Sequence, residues 1–387
     1  MNKKVSLGVT IAIAVVSVAA TFAITMAVSQ KIYNGIVEDL PQRIERYDNL
    51  AEIDDIIHKE YYDKHDSDVI NKNIQKGYIK GLGDGYSKYL TSDEYKKYCD
   101  VLNGDMTGIG VEASYNSDEQ QAYITKIYHK SPAELNGLKT DDIILAVDEE
   151  AITSGNYTKL FEKLTEGREK SVKVTYKRGD FENTVTVPVG FKLETVDYEI
   201  KDTVGYIRIN MFNEFTQEQL KSAIESFSEV KGIVIDLRGT DTGEIRYAAK
   251  TADVIVPAAD GTGALATAKK ANGNVVETFT SDSSDVSIPI IVLVDRKTSG
   301  AAELFACSLR DFSKAQLVGK RTKGNATMQK VFKLDKGNVL LLTVALVEPY
   351  KSESYSGNGI IPDYDVTELK NDTDEQLEKA ISLLKNN

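Results

Sequence analysis

The stretch VLVDRKTSGAAELFACSLRDF, Val292 to Phe312, decides how the C-terminal half of the chain is built. It continues the apolar run IPIIVLVD, Ile288 to Asp295, which predicts a strand buried on both faces. After a short polar turn, Ala301, Leu304, Phe305, Ser308, Leu309 and Phe312 recur at helical spacing and predict a helix with one core-facing stripe. Gly300 and Glu303 have the N-cap and N3 spacing of a helix start. A strand that turns into a helix is a place where a chain can present a nucleophile, yet Gly300 has no side chain to present. Cys307 lies inside the helix and reads as a core thiol, far in sequence from the other cysteine, Cys99.

Working outward, VGYIRINMF (Val204–Phe212) and KGIVIDLRG (Lys231–Gly239) read as strands, with TQEQLKSAIESF (Thr216–Phe227) as a helix between them. Strand, helix and strand in that order predict crossover connections and a mixed α/β sheet covered by helices. Met106 to Val189 changes to short alternating strands (QAYITKIY, SVKVTYKR, NTVTVPV) around one helix near Tyr157 to Leu164, a compact β-rich module. Gln30 to Tyr98 reads as helical and polar-faced, with turn glycines at Gly81, Gly83 and Gly85 and a capped helix from Thr91 or Ser92. Val5 to Val28 carries no charge and is long enough, as a helix, to cross a bilayer core of about 30 Å. Lys3 and Lys4 precede it, so a retained signal anchor would leave the short tail in the cytoplasm and everything after Ser29 outside.

Several chemistries are disfavoured. The 387 residues carry a formal charge of -12, without the clustered Lys and Arg that phosphate binding needs, so no nucleic-acid partner is expected. The histidines, His58, His65 and His129, all precede the C-terminal half, which therefore cannot build a Ser/His/Asp triad from its own residues. No histidine pair has zinc-site spacing, and neither a metal nor a cofactor is expected. Gly319 to Ala326 has the spacing of a phosphate loop, but its last two positions are Asn325 and Ala326, and MQKVFKL after it alternates like a strand.

Within the β-rich module, GIGVEASY and SPAELNGLKTDDIILAVDEEAI resemble a PDZ domain of the kind found in processing proteases. The resemblance makes Gly108, Ile109, Gly110 and Val111 the carboxylate loop, whose exposed backbone N–H groups would meet a peptide C-terminus added as an extra strand. With the turn Asp84–Ser87, GYIRINMF, GIVIDLRG, the opening stretch, LVGKRTKGNATMQ and SGNGIIPD, the chain resembles the carboxyl-terminal processing (tail-specific) serine peptidase family from about Ile53 to Leu384. Together with the apolar run, which a cleaved signal peptide would explain as the lesser alternative, that resemblance implies a multidomain α/β architecture: cytoplasmic tail 1–4, transmembrane anchor 5–28, N-terminal helical region 29–105, PDZ domain 106–190 and a ClpP/crotonase-like peptidase core 191–387.

In active relatives a serine attacks the peptide carbonyl and a buried lysine takes its proton. The family motif Thr-Ala-Ser-Ala-Ala-Glu stands here as Thr298-Ser299-Gly300-Ala301-Ala302-Glu303, which puts Gly300 at the nucleophile position. The base segment Thr-Phe-Gly-Lys-Gly-Thr-Met-Gln stands as Thr322 to Gln329, which puts Asn325 at the lysine, with the assisting glutamine kept as Gln329. A double glycine that supplies an oxyanion donor is replaced by Thr242-Gly243. Loss of nucleophile or base costs on the order of 10⁶ in rate. The resemblance is therefore to a degenerate member that binds peptides or protein C-terminal tails without cutting them. The alternative is an active endopeptidase with the displaced pair Ser299 and Lys323. One step along a helix start turns a side chain by about 100°, which disfavours Ser299, whereas 323 and 325 share a face of an extended segment.

Overall fold

The structure, a computed structural model, describes residues 7–37, 40–167, 169–257, 263–282, 287–312, 314–367 and 374–385. The chain divides into two units, Met1–Asn73 and Ile74–Asn387. In the first, α1 (Leu7–Val37) extends the expected apolar helix beyond Val28, and α2 (Leu40–Glu60) follows. Within α1, Ile11–Gln30 is long and apolar enough to cross a membrane, and none of it is buried. The tail 1–4, with Lys3 and Lys4, lies outside the described residues.

After α3 (Ser67–Lys80), the segment between the turn glycines and the capped helix, where no strand is expected, contributes β1 (Lys88–Leu90). Only Tyr89 of β1 is buried, and three residues are too few to show a period of two. The next helix, α4 (Ser92–Leu102), starts where its signal stands, with Thr91 as N-cap and Glu94 returning a 2.9 Å bond to the Thr91 N–H.

The β-rich module is entered through β2 (Asp105–Met106) and left through β9 (Phe191–Lys192), which pair with each other. Between them run β3 (Val111–Asn116), β4 (Gln121–Ile127), α5 (Pro132–Leu135), β5 (Ile143–Val147), β6 (Glu150–Ala151), α6 (Tyr157–Glu166), β7 (Ser171–Arg178) and β8 (Phe181–Pro188). The sheet order is β3-β4-β5-β7-β8, so β3 is an edge. Its own core includes Ile109, Ile124, Leu138, Leu160, Leu164 and Val174.

The C-terminal elements are β10 (Val196–Lys201), β11 (Val204–Ile209), α7 (Thr216–Ser226), β12 (Gly232–Asp236), α8 (Ile245–Asp253), β13 (Ala264–Lys269), β14 (Val275–Thr280), β15 (Ile290–Val294), α9 (Ala301–Asp311), β16 (Ala315–Gly319), β17 (Thr327–Lys333), β18 (Val339–Pro349), β19 (Tyr364–Asp365) and α10 (Glu375–Lys385). One sheet runs β10-β11-β12-β15-β16-β19, parallel from β11 onward. Every residue of β12 and β15 is buried, as their unbroken apolar runs require. Ile233, Ile235, Ile290 and Val292 face the core shared with α7, α8 and α9, while Val234, Ile291 and Leu293 face Ala380 and Leu384 of α10. A second sheet, β1-β18-β13-β14 with β17 on β18, also meets α9 through β18. The helix is thus buried over Ala301 to Leu309 and at Asp311, not along a single stripe as its spacing suggests.

At the end of β12 a fully buried Asp236 accepts from Arg238 and from the Tyr206 hydroxyl at 2.7 Å. Burial pushes its carboxyl up, but the guanidiniums of Arg238 and Arg208 outweigh that and hold it below the ordinary range. Arg238 also reaches Asp374 at 2.8 Å, and Asp374 accepts from Leu377 N–H in the first turn of α10. The Asp236-Leu237-Arg238 segment therefore seats the last helix on the sheet.

Candidate active site

The turn between β15 and α9 is organised by Asp295, whose carboxylate accepts from the N–H groups of Lys297 at 3.0 Å, Thr298 at 2.8 Å and Gly239 at 3.0 Å. Gly300, the N-cap of α9, has φ 63° and ψ -114°, a conformation that side-chain-bearing residues adopt only under strain. An ideal Cβ built there meets one atom within 4 Å, Asn325 Nδ2 at 3.3 Å. Positions 300 and 325, expected from the motif resemblance to be those of nucleophile and base, therefore face each other.

Glu303 holds them in that relation. It is fully buried, and its two oxygens each accept from two donors. One oxygen takes the Thr322 hydroxyl and Gly324 N–H at 2.6 Å, and the other takes Asn325 N–H at 2.8 Å and Gly300 N–H at 3.0 Å. The last bond is the half of a capping box that survives without a side chain at the N-cap. Burial pushes the Glu303 carboxyl above its ordinary range, against the pull of these donors. The N3 spacing reveals Glu303 as a helix-start residue, but nothing in the sequence reveals that it also clamps the segment from 322 to 325.

Along that segment Thr322, Gly324, Ala326 and Met328 are buried and the alternate residues are more open. Lys323 and Asn325 thus share a face, as an extended segment requires, and Lys323 is exposed. Asn325 Oδ1 accepts from the Thr327 hydroxyl at 2.6 Å, and Gln329 Nε2 donates to the same hydroxyl at 2.6 Å. Gln329 therefore positions Thr327 and acts on residue 325 only through it. Ser299 is 3% exposed, and its N–H donates to Thr240 O at 2.9 Å. Among the described residues no side-chain hydrogen bond joins Ser299 to Lys323.

Thr242 and Gly243 lie beside Phe212. Phe212 N–H donates to Thr242 O at 3.2 Å, and Glu244 N–H donates to Phe212 O at 3.0 Å. Gly243 has φ 135°, and a Cβ there would stand 2.6 Å from both Phe212 N and O, so the second glycine is a steric requirement. Gly243 and Gln329 line one cleft of about 430 Å³ with Tyr98, Tyr247, Phe279 and Leu341. Burial pushes the Tyr98 hydroxyl up to about 12, so it remains a donor in neutral solution. The β-rich module touches both turns of the site: Lys126 pairs with Asp241 at 3.0 Å, and Lys297 Nζ donates to Thr125 O at 2.7 Å. No sequence pattern announces these contacts.

The carboxylate loop of the module differs from its expected form. Gly108, Ile109, Gly110 and Val111 are buried, and Ile109 N–H, expected to be open to a peptide, donates to Leu164 O of α6 at 2.8 Å. Tyr115 of β3 stacks on Tyr157 of α6 at 4.8 Å and 11°. The reason is local packing: Ile109 belongs to the module core, and its burial draws the loop onto the last turn of α6. The Ile109 N–H is therefore already paired within the module.

A sequence model of peptidase family S41 matches residues 203–366, and a PDZ-domain model matches 107–189. A probable CtpA-like serine protease of Staphylococcus haemolyticus is 30% identical over 357 residues, covering 91% of this chain and 70% of that protein. This chain belongs to peptidase family S41. A second probable CtpA-like serine protease, from Staphylococcus aureus, is 28% identical over 361 residues, covering 92% of this chain and 70% of that protein. The fold is that of the photosystem II D1 C-terminal processing protease (TM-score 0.57, 22% identity, 86% of this chain and 89% of that one). It is also that of a putative S41 protease from Bacteroides fragilis (TM-score 0.57, 20% identity, 84% and 91%). Within the S41 scaffold, the strand-to-helix turn, the clamp on Glu303 and the cleft are all built. At the two facing positions stand a glycine, which has no nucleophilic atom, and an amide, which cannot take up a proton near neutral pH.

Proposed function

We propose that this family S41 chain is a membrane-anchored, extracytoplasmic protein that binds peptides or protein C-terminal tails without cutting them. The reading rests on one observation, the 3.3 Å approach of a Cβ at Gly300 to Asn325 Nδ2. The geometry for a serine and a lysine is kept while both reactive groups are absent. The proposed roles follow the facing positions: Gly300 and Asn325 replace nucleophile and base, Gln329 is a remnant of base positioning, and Thr242 and Gly243 occupy the oxyanion region. The Ser299/Lys323 alternative is less supported, because Ser299 is nearly buried while Lys323 is exposed. The test is to incubate the full-length chain in detergent micelles with an unstructured protein bearing an apolar C-terminus. Intact substrate with measurable complex formation is expected, and fragments would overturn the reading.

The anchor carries its own prediction. Ile11–Gln30 is long and apolar enough to span a bilayer as a helix, so the chain is expected in the membrane pellet after alkaline extraction, with Val5–Val28 still attached. N-terminal sequencing that begins at Ala27 or later contradicts it. The proposed division remains tail 1–4, anchor 5–28, helical region 29–105, PDZ domain 106–190 and peptidase-like core 191–387.

Peptides ending in small apolar residues with a free carboxylate are expected to bind at Gly108–Val111 with a Kd on the order of micromolar. The bond between Ile109 and Leu164 is the barrier to entry. Replacing α6 contacts by Tyr157→Ala should therefore tighten binding several-fold in a fluorescence titration. Equal affinity for the C-terminally amidated peptide would remove the carboxylate from the explanation.

A further inference from the structure

A second cavity, about 400 Å³, lies behind the base segment and is lined by Cys307 and Arg310 of α9, Arg321, Ser352, Tyr355 and Ile361 among others. One wall is the loop before β19, which is bonded to the buried side of the base segment. Ile360 N–H donates to the Thr322 hydroxyl at 2.7 Å, and Gly357 N–H donates to Gly324 O at 2.8 Å.

The charge in this cavity is unmatched. Arg310 donates to Ile361 O at 2.9 Å and to Ser352 Oγ at 3.4 Å, and Arg321 donates to Asn358 O at 3.4 Å. Each guanidinium has five N–H donors, and among the described residues neither has a carboxylate within ion-pairing distance. The neighbouring Asp311 is already occupied by the N–H groups of Lys351 and Ser352 and by the Ser352 hydroxyl. Cys307 supplies no counter-charge, because burial pushes its thiol up to about 11. The remaining acid on the lining, Glu353, is exposed and forms no ion pair among the described residues.

Tyr355 is 2% exposed, and its hydroxyl has no hydrogen-bond partner among the described residues. The hydroxyl itself is closed to solvent, so it stands behind the cavity wall and is not open to an occupant. The planar two-oxygen face of a carboxylate matches a guanidinium fork, and the volume lies in the range of small-ligand sites.

We propose that this cavity is a carboxylate-binding site, in which Arg310 and Arg321 meet the charge. The carboxylate belongs either to a small organic acid or to the free C-terminus of a polypeptide, and the site is separate from the cleft at Gly243 and from the module loop at Gly108–Val111. Through the loop that backs Thr322 and Gly324, an occupant would also brace the segment that carries Asn325.

Isothermal titration of the full-length chain in detergent micelles tests this, with propionate, propionamide, inorganic phosphate, and acetyl-trialanine with a free or amidated end as probes. Propionate is expected to bind with a Kd on the order of millimolar and propionamide not to bind. Arg310→Gln and Arg321→Gln should each weaken propionate by about tenfold. Arg321 is exposed, so Arg321→Gln remains informative if Arg310→Gln does not fold. A free-ended peptide that exceeds propionate, and loses that advantage in Arg321→Gln, assigns the site to chain ends. Free and amidated peptides that both bind more weakly than propionate assign it to a small acid. Equal binding of propionate and propionamide, propionate affinity unchanged in Arg321→Gln, or phosphate binding tighter than propionate overturns the proposal.

Discussion

Gly300→Ser combined with Asn325→Lys is expected to convert the chain into a slow protease, while either change alone leaves it inert. The space exists: a Cβ at position 300 meets only Asn325 Nδ2 within 4 Å, at 3.3 Å, and the residue-325 side chain is the one being replaced. The backbone at φ 63° charges a serine about 1–3 kcal/mol of strain, which the clamp on Glu303 is placed to withstand. A serine alone has no group to take its proton, and a lysine alone has no hydroxyl to activate. Restoring both recovers a unit whose loss is on the order of 10⁶ in rate. A misplaced oxyanion donor at Thr242 gives back roughly 10² to 10³. The net gain should then be about 10³ to 10⁴ over the unmodified chain, read as fragments of an unstructured, apolar-tailed substrate, and Thr242→Gly should raise it further. Gly243 is kept in all versions, since Phe212 leaves no room for a Cβ there. Cleavage by the unmodified chain that Ser299→Ala abolishes would instead assign the chemistry to the displaced pair.

What was legible in the sequence followed from local rules. The runs at β12 and β15 had to be buried on both faces because no polar residue interrupts them, and they are. The motif resemblance makes 300 and 325 the expected nucleophile and base positions, and a Cβ at Gly300 would lie 3.3 Å from Asn325 Nδ2. What was hidden depends on long-range contacts that leave no periodic mark. β1 is three residues long and is recognisable as a strand only by its pairing with β18. The burial of Gly108–Val111 follows from the docking of α6, and the contacts of Lys126 and Lys297 follow from the way the PDZ domain meets the core. Glu303 is intermediate: its first bond, to Gly300, was implied by spacing, and its other three come from a segment that begins at Thr322.

Those bonds make Glu303→Gln the substitution with the largest expected effect on stability. Each carboxylate oxygen accepts two donors, and an amide can offer only one oxygen. Turned toward Gly300 and Asn325 its NH₂ faces two N–H donors, and turned toward Thr322 and Gly324 it can donate to the Thr322 hydroxyl but still faces the Gly324 N–H. At least one buried N–H left without an acceptor costs about 1–3 kcal/mol, the lost bonds to a charged oxygen add to this, and relief of the buried charge offsets part of it. A net loss of about 2–4 kcal/mol should appear as a clear drop in the denaturation midpoint. The pH dependence separates charge from shape. Burial raises the folded pKa of Glu303 above 4.5, so between that value and the folded one the native state holds the proton more tightly than the unfolded chain. Stability therefore falls as pH rises through this window, and the glutamine variant lacks that slope. In the protease made by Gly300→Ser and Asn325→Lys, adding Glu303→Gln should abolish cleavage, because residue 300 and the segment carrying residue 325 lose their common anchor. A glutamine variant that melts where the parent does, with the same pH slope, would show that the clamp carries neither role.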